Sequence, residues 1–282
     1  MIHRVDYRYL VYDGPAPEGS HALERDGMFV LRNAFSPDEI AELRQDIERV
    51  YHEYPPDKRA GSPTLERAEM FRYEMFNRSA ACQAIAGDRR VLDLLEPLLG
   101  DECHMISCTA WRNPADPSHA PNGQEWHTDG GPHVPLPEDF LWPDDVPFPI
   151  FTIATHFFLQ AQALEDGPTA ALLGSHRSGL VPPKEREWDL DLTYRGQSAV
   201  PMLAEVGDIG FFVSDVWHRR LPPLPYGKGR FFLQINYGRR DIAQRIRPTA
   251  AVNHVSPDAN ERARSEREQK LIGLHPERFY DG

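Results

Sequence analysis

The stretch Trp126-His127-Thr128-Asp129-Gly130-Gly131 decides how the rest of the chain is read. An imidazole and a carboxylate two residues apart on an extended segment point to the same side, because strand side chains alternate with period two. Two such groups can grip adjacent positions on one metal ion. A second histidine from elsewhere completes the facial set of two histidines and one carboxylate that holds non-haem Fe(II) and leaves positions open. A His-x-Asp triplet is common by chance. A second histidine, a cosubstrate anchor and a β scaffold must therefore be found in the same chain.

The scaffold is legible from about residue 102 onward. Short β-prone runs, Cys103 to Trp111, Phe151 to Leu159, Ala199 to Val206, Ile209 to Val213 and Phe231 to Tyr237, are separated by Gly, Pro and Asp. They predict an antiparallel sandwich or barrel rather than βαβ units. Upstream, Gly27-Met28-Phe29-Val30-Leu31 predicts a strand. Ser36-Pro37-Asp38-Glu39 then opens a helix as a capping box with proline at its first position, and Ile40, Leu43, Ile47 and Val50 follow at helical spacing. A second helix is expected over roughly Asp88 to Leu99, closed by Gly100, with Pro97 near its end. Residues 51 to 80 read as polar, with loops at Pro55-Pro56 and Gly61-Ser62-Pro63. A charged helix is expected over about 256–272, as a solvated cap.

The segment 131–150 carries Pro132, Pro135, Pro137, Pro143, Pro147 and Pro149 around Phe140-Leu141-Trp142. It starts two residues after Asp129, so it is expected to form a lid that excludes water from the site.

Bulk properties exclude several classes. At 282 residues the chain can bury a sizeable core, and one domain over 1–282 is expected. A net charge of -12 argues against nucleic-acid binding, which relies on Lys and Arg to neutralise phosphates. No apolar run is long enough to span a bilayer, so no membrane partner is expected. Met1-Ile2-His3-Arg4-Val5-Asp6-Tyr7 has no hydrophobic signal region, and a cytoplasmic location is expected. Cys82, Cys103 and Cys108 form no Cys-x-x-Cys pair, against both a disulfide framework and a structural zinc site.

The second histidine is sought where a Gly-Asp turn, Gly207-Asp208, leads into an apolar strand ending on His218. Twelve residues later Arg230 opens Phe231-Phe232-Leu233-Gln234-Ile235-Asn236-Tyr237. An arginine on that next strand can enter the barrel beside the metal, and its planar fork suits a carboxylate. A 2-oxo acid that chelates iron through its C1 carboxylate and keto oxygen has a second carboxylate to bury, which is costly without a partner.

Taken together, these segments resemble the phytanoyl-CoA dioxygenase family of Fe(II)- and 2-oxoglutarate-dependent oxygenases. The resemblance runs from Arg25 to Glu39, through Trp126-His127-Thr128-Asp129 and Asp166-Gly167 to Gly174-Ser175-His176-Arg177, to Gly207-Asp208 through His218 and on to Arg230. It implies a mainly β fold with flanking helices, a double-stranded β-helix or cupin-like jelly-roll. It implies His127, Asp129 and His218 as catalytic iron ligands and Arg230 as the anchor of 2-oxoglutarate. Thr128 is a candidate hydroxyl donor to the cosubstrate. His156 is a candidate lining residue of its pocket, with core packing the alternative. His176 reads as structural, and His133, near the lid, as a candidate substrate contact. Two residues past His218, where many relatives have a small hydroxyl residue, stands Arg220, preceded by Arg219.

The activity implied is hydroxylation, or another oxidation, of a small molecule with O2, releasing succinate and CO2. An intact carboxylate at Asp129 disfavours halogenation. A natural-product intermediate or amino-acid-like substrate is expected, and Glu138, Asp139, Asp144 and Asp145 hint at a cationic one. The oligomeric state is not legible. Two other readings of the same residues stand open: a cupin-like metal-dependent isomerase or hydrolase, which leaves Arg230 without a purpose, and a catalytically silent jelly-roll binding protein.

Overall fold

The computed structural model describes residues 18–56, 69–244 and 254–276. The β-prone runs pair into two antiparallel sheets. The larger one has the order β1 (Met28–Leu31), β7 (Ile209–Val213), β4 (Thr152–Phe158), β9 (Arg230–Gly238), β3 (His104–Asn113) and β2 (Phe71–Arg72). The smaller one has the order β6 (Val200–Pro201), β5 (Thr169–Ala171) and β8 (His218–Arg220). The two meet through Ala154, Phe212 and Phe232 on one side and Ala171 and Met202 on the other. This is the expected jelly-roll.

Period-two alternation sorts each long strand into two roles. On β9, Phe231, Leu233, Ile235 and Tyr237 enter the main core, whereas Arg230, Phe232, Gln234 and Asn236 border an interior cavity. The main core is completed by helices α1 (Glu18–Asp26), α2 (Pro37–Glu53), α3 (Met75–Arg78), α4 (Ala80–Ala86), α5 (Arg89–Leu99), α6 (Pro257–Arg262) and α7 (Glu266–Leu271). Helix α2 starts as the sequence predicts. Glu39 N–H donates to Ser36 Oγ, Ser36 N–H donates to the Glu39 carboxylate, and Ile40, Leu43, Ile47 and Val50 are buried. Asp88 caps α5, Gly100 ends it, and Pro97 is accommodated in its last turn.

Several expectations are corrected. Helix α1 has no counterpart among the expected elements; it has only Ala22 and Leu23 as buried apolar residues, too few for a periodic signal. The charged C-terminal helix is two short helices, because Ser265 starts a fresh capping box with Glu268. Within the run Ala199 to Val206 the regular strand is only Val200–Pro201, with Ala204 in a single bridge to Gln162; Pro201 has no N–H for a ladder. The strand expected to end on His218 stops at Val213; the chain crosses between sheets, and His218 opens β8. Met1 to Tyr7 and Gly61-Ser62-Pro63 lie outside the described residues.

The three cysteines are free and buried. No helix among the described residues is long and apolar enough to cross a membrane. The Gly207-Asp208 turn ties the sheet edge to the segment before α2. Gly207 has φ +93°, and a Cβ there would meet the Phe35 carbonyl at 2.2 Å. The buried Asp208 carboxylate accepts from Asn33 N–H at 2.8 Å, Glu205 N–H at 2.9 Å and the Arg32 guanidinium at 2.6 Å. Asp208→Ala strands these donors. Urea denaturation should show a loss of about 2–4 kcal/mol of unfolding free energy; an unchanged midpoint would show that the turn does not depend on them.

Candidate active site

His127 lies outside the regular strands, yet it forms an antiparallel bridge with His218 in which each N–H donates to the other's carbonyl at 3.0 Å. The segment thus extends the smaller sheet beside β8. Asp129 is held by its own N–H, which donates to Ser214 O at 2.8 Å. As a result His127 Nε2 and His218 Nε2 each stand 3.7 Å from a different oxygen of Asp129. One ligand atom from each of the three residues lies within 4.8 Å of the others.

The tautomers are set locally. His127 Nδ1 is 2.8 Å from the Glu125 carbonyl and His218 Nδ1 is 2.9 Å from the Val216 carbonyl. A carbonyl only accepts, so each Nδ1 carries the proton and each Nε2 offers its lone pair. Burial pushes His218 down to about 4, against the opposing pull of Asp129, so it stays in the neutral, ligating form well into acid. Two imidazoles and a carboxylate, oriented before any metal arrives, fit a divalent ion of mixed nitrogen and oxygen preference.

A cavity of about 550 Å³ opens from this triad between the sheets. Arg230 borders it, buried, with Nε donating to Asn113 Oδ1 at 2.9 Å. Burial and then the nearby Arg220 charge lower Arg230's proton affinity. Arg220, whose +2 position from His218 marked it only as a departure from relatives, is also buried and borders the same cavity. Burial pushes it down to about 10, still cationic at neutral pH. Arg219 is buried as well, over the Trp126 ring, with one guanidinium nitrogen donating to Asn122 O at 2.9 Å. Both arginines of this adjacent pair are therefore inside. Arg239 and Arg240 are ion-paired with Asp241 and Glu102.

The other candidates separate. His156 borders the cavity, 4.3 Å from the Phe232 ring centroid, and is kept neutral by burial and then by Arg230 and His218. Thr128 also borders the cavity, and its Oγ1 donates to Gly131 O at 3.2 Å. His176 is a tie: its Nε2 donates to Glu24 O at 3.0 Å, and burial pushes it down to about 4. His133 borders the cavity and is oriented by Asp215, whose carboxylate accepts from His133 Nδ1 at 2.6 Å and from its N–H at 2.9 Å. Asp215 had no sequence signal. Within 131–150, His133 alone borders the cavity, while Trp142 packs on the buried Phe148 and Arg177 holds the Pro143 carbonyl. At its aromatic middle Phe140 and Leu141 are exposed, and Trp142 joins the edge of the main core.

The family model described as "Phytanoyl-CoA dioxygenase (PhyH)" matches residues 23–220. No curated protein matches the sequence. Among solved structures, HygX from Streptomyces hygroscopicus with nickel and 2-oxoglutarate bound superposes with a TM-score of 0.60 at 17% identity, covering 82% of this chain and 90% of that one. EctD from S. alaskensis with 2-oxoglutarate and 5-hydroxyectoine gives a TM-score of 0.60 at 20% identity, covering 84% and 82%. The epimerase SnoN with Fe3+, alpha ketoglutarate and nogalamycin RO gives 0.58 at 16% identity, covering 79% and 83%.

His156, His176 and His218 are all held neutral by burial, whereas the unfolded chain protonates them near 6.5. Depressed folded values mean that the unfolded state binds more protons in acid. Stability is therefore complete above about pH 6.5 and falls as pH drops toward 4, by about 1.4 kcal/mol per pH unit for each such group. Urea denaturation of the metal-free protein at about pH 7, 6 and 5 should show this decline; a flat profile would contradict it.

Proposed function

This chain belongs to the phytanoyl-CoA dioxygenase family, and from that premise we propose that it is an Fe(II)- and 2-oxoglutarate-dependent oxygenase that hydroxylates, or otherwise oxidises, a small organic molecule. The observation that carries the reading is the convergence, in one cavity, of a preoriented His127–Asp129–His218 triad and a buried Arg230 with no ion pair among the described residues.

His127, Asp129 and His218 would hold the iron. Bound there with its cosubstrate, the iron supplies the oxidising chemistry: one O2, one 2-oxoglutarate and one substrate C–H give hydroxylated product, succinate and CO2. The chain's own work is placement. The Glu125 and Val216 carbonyls keep both imidazoles aimed at one point. Arg230, steadied by Asn113, would receive the far carboxylate of the cosubstrate in a fork that a buried anion needs. His156, with Phe212 and Phe232, gives the pocket a dry apolar wall. A Lewis-acid isomerase or hydrolase would use the same triad and leave Arg230 idle. HygX, EctD and SnoN hold hygromycin B, 5-hydroxyectoine and nogalamycin RO, which supports a natural-product or amino-acid-like substrate.

Anaerobic addition of Fe(II) and then 2-oxoglutarate should produce the visible charge-transfer band of a chelated 2-oxo acid. His127→Ala, Asp129→Ala and His218→Ala should abolish the band and turnover. Arg230→Ala should keep iron binding and raise the 2-oxoglutarate requirement by about 10- to 100-fold. Iron binding without a band in the wild type would favour the Lewis-acid reading.

A further inference from the structure

Two guanidinium groups on the cavity wall, those of Arg220 and Arg230, have no ion pair among the described residues. Arg220 lies two residues beyond His218 on β8, so both side chains leave the same face of the strand, about 7 Å apart along it. Arg230 enters from β9 in the facing sheet, paired in register with Asn113 of β3. Each is 6% exposed and borders the cavity. Arg230 gives Nε to Asn113, but Arg220 makes no side-chain hydrogen bond to any described residue, and its Nε is buried without an acceptor. Trp111 Nε1, on the same wall, is likewise buried without an acceptor.

A structural role leaves a different signature. Arg72, equally buried, donates to the backbone carbonyls of Tyr54, Glu69, Phe71 and Tyr51. Arg267 joins Glu96 and the Cys103 carbonyl. Arg220 braces nothing. Arginine does not shed its charge on burial, and two like charges left unpaired inside a protein are strongly destabilising. Surplus donors and surplus positive charge, contributed from both sheets, describe a site completed by an anion.

We propose that Arg220 is a second anchor for the far carboxylate of the cosubstrate, which is thereby held between guanidinium groups from the two sheets. This rests on the reading of Arg230 given above. The carboxylate has about four lone-pair positions, enough to accept from both groups. Arg220 is then a specificity-determining residue. It strengthens the preference for a diacid over a 2-oxo monoacid with the same chelating head, and it slows release of the diacid product, succinate.

The test is calorimetry on Ni(II)-loaded protein with 2-oxoglutarate, 2-oxopentanoate and succinate as ligands, in wild type, Arg220→Gln, Arg220→Met and Arg230→Gln. Each variant should lose about 10- to 100-fold in affinity for 2-oxoglutarate and succinate while binding 2-oxopentanoate within about threefold of wild type. The ligand-free melting temperature of Arg220→Met should equal or exceed that of wild type, since an unpaired buried charge has been removed. If the Arg220 variants keep the wild-type preference for the diacid while Arg230→Gln loses it, the second anchor is overturned and the function proposed above stands. A lower melting temperature with an unchanged preference would mark Arg220 as a brace and would overturn the second anchor equally. A wild type that binds 2-oxopentanoate as tightly as 2-oxoglutarate would instead overturn the role of Arg230 itself.

Discussion

The backbone hydrogen bonds that join His127 to His218, one in each direction, are the constraint from which the site follows. They bring a segment with no regular strand structure into register with β8. Register fixes facing, because one residue of slip turns every side chain of a strand to the other side. With His127 opposite His218, both imidazoles lie on the cavity side, and Asp129, two residues on, returns to that side between them. The Asp129 N–H donating to Ser214 O then locks the segment to the turn that leaves β7. The geometry of the triad is thus built largely from main-chain pairing, and the side chains inherit their positions.

The same turn organises the other end of the segment. Asp215, next to Ser214, takes both the N–H and Nδ1 of His133, and a Cβ on Gly131 would stand 2.4 Å from its carboxylate. The four residues from Ser214 to Trp217 therefore connect the two sheets, seat the His-x-Asp segment and aim His133 toward the cavity. From the triad the cavity runs toward positive charge. One end has Asp129 between two imidazoles; the other has Arg220 and Arg230. A ligand with a chelating head and an acidic tail fits that gradient in one direction only.

Much of this was legible in the sequence, for specific reasons. The His127-x-Asp129 spacing carries strand geometry in itself, and Arg230 precedes an apolar run long enough to be recognised as a strand. The capping box at Ser36 and the Gly207-Asp208 turn are local rules that tertiary structure did not override. What escaped depended on contacts between distant segments. Asp215 is one carboxylate among many until folding places it on His133. Helix α1 is stabilised by packing rather than pattern, with Ser20 Oγ donating to the Leu94 carbonyl. Arg220 did offer a signal: it shares the parity of His218, so a strand through His218 must point both inward. The usual solvation of adjacent arginines obscured it. The packing of Trp142 on Phe148 escaped for a related reason, since proline and aromatic content describe a stiff loop and not the surface on which it rests.

The three cysteines, placed by the strands and helices of the main core, have a consequence for chemical durability. Burial raises Cys82 to about 12 and Cys103 to about 11, and raises Cys108 well above the usual thiol range. Thiolate, not thiol, reacts with peroxide and begins the passage to sulfenic and sulfinic acids. At neutral pH these side chains are almost wholly protonated and out of contact with solvent. A protein that handles dioxygen at one side of its sheet thus keeps its most oxidisable atoms on the other, in the one form that oxidants leave alone.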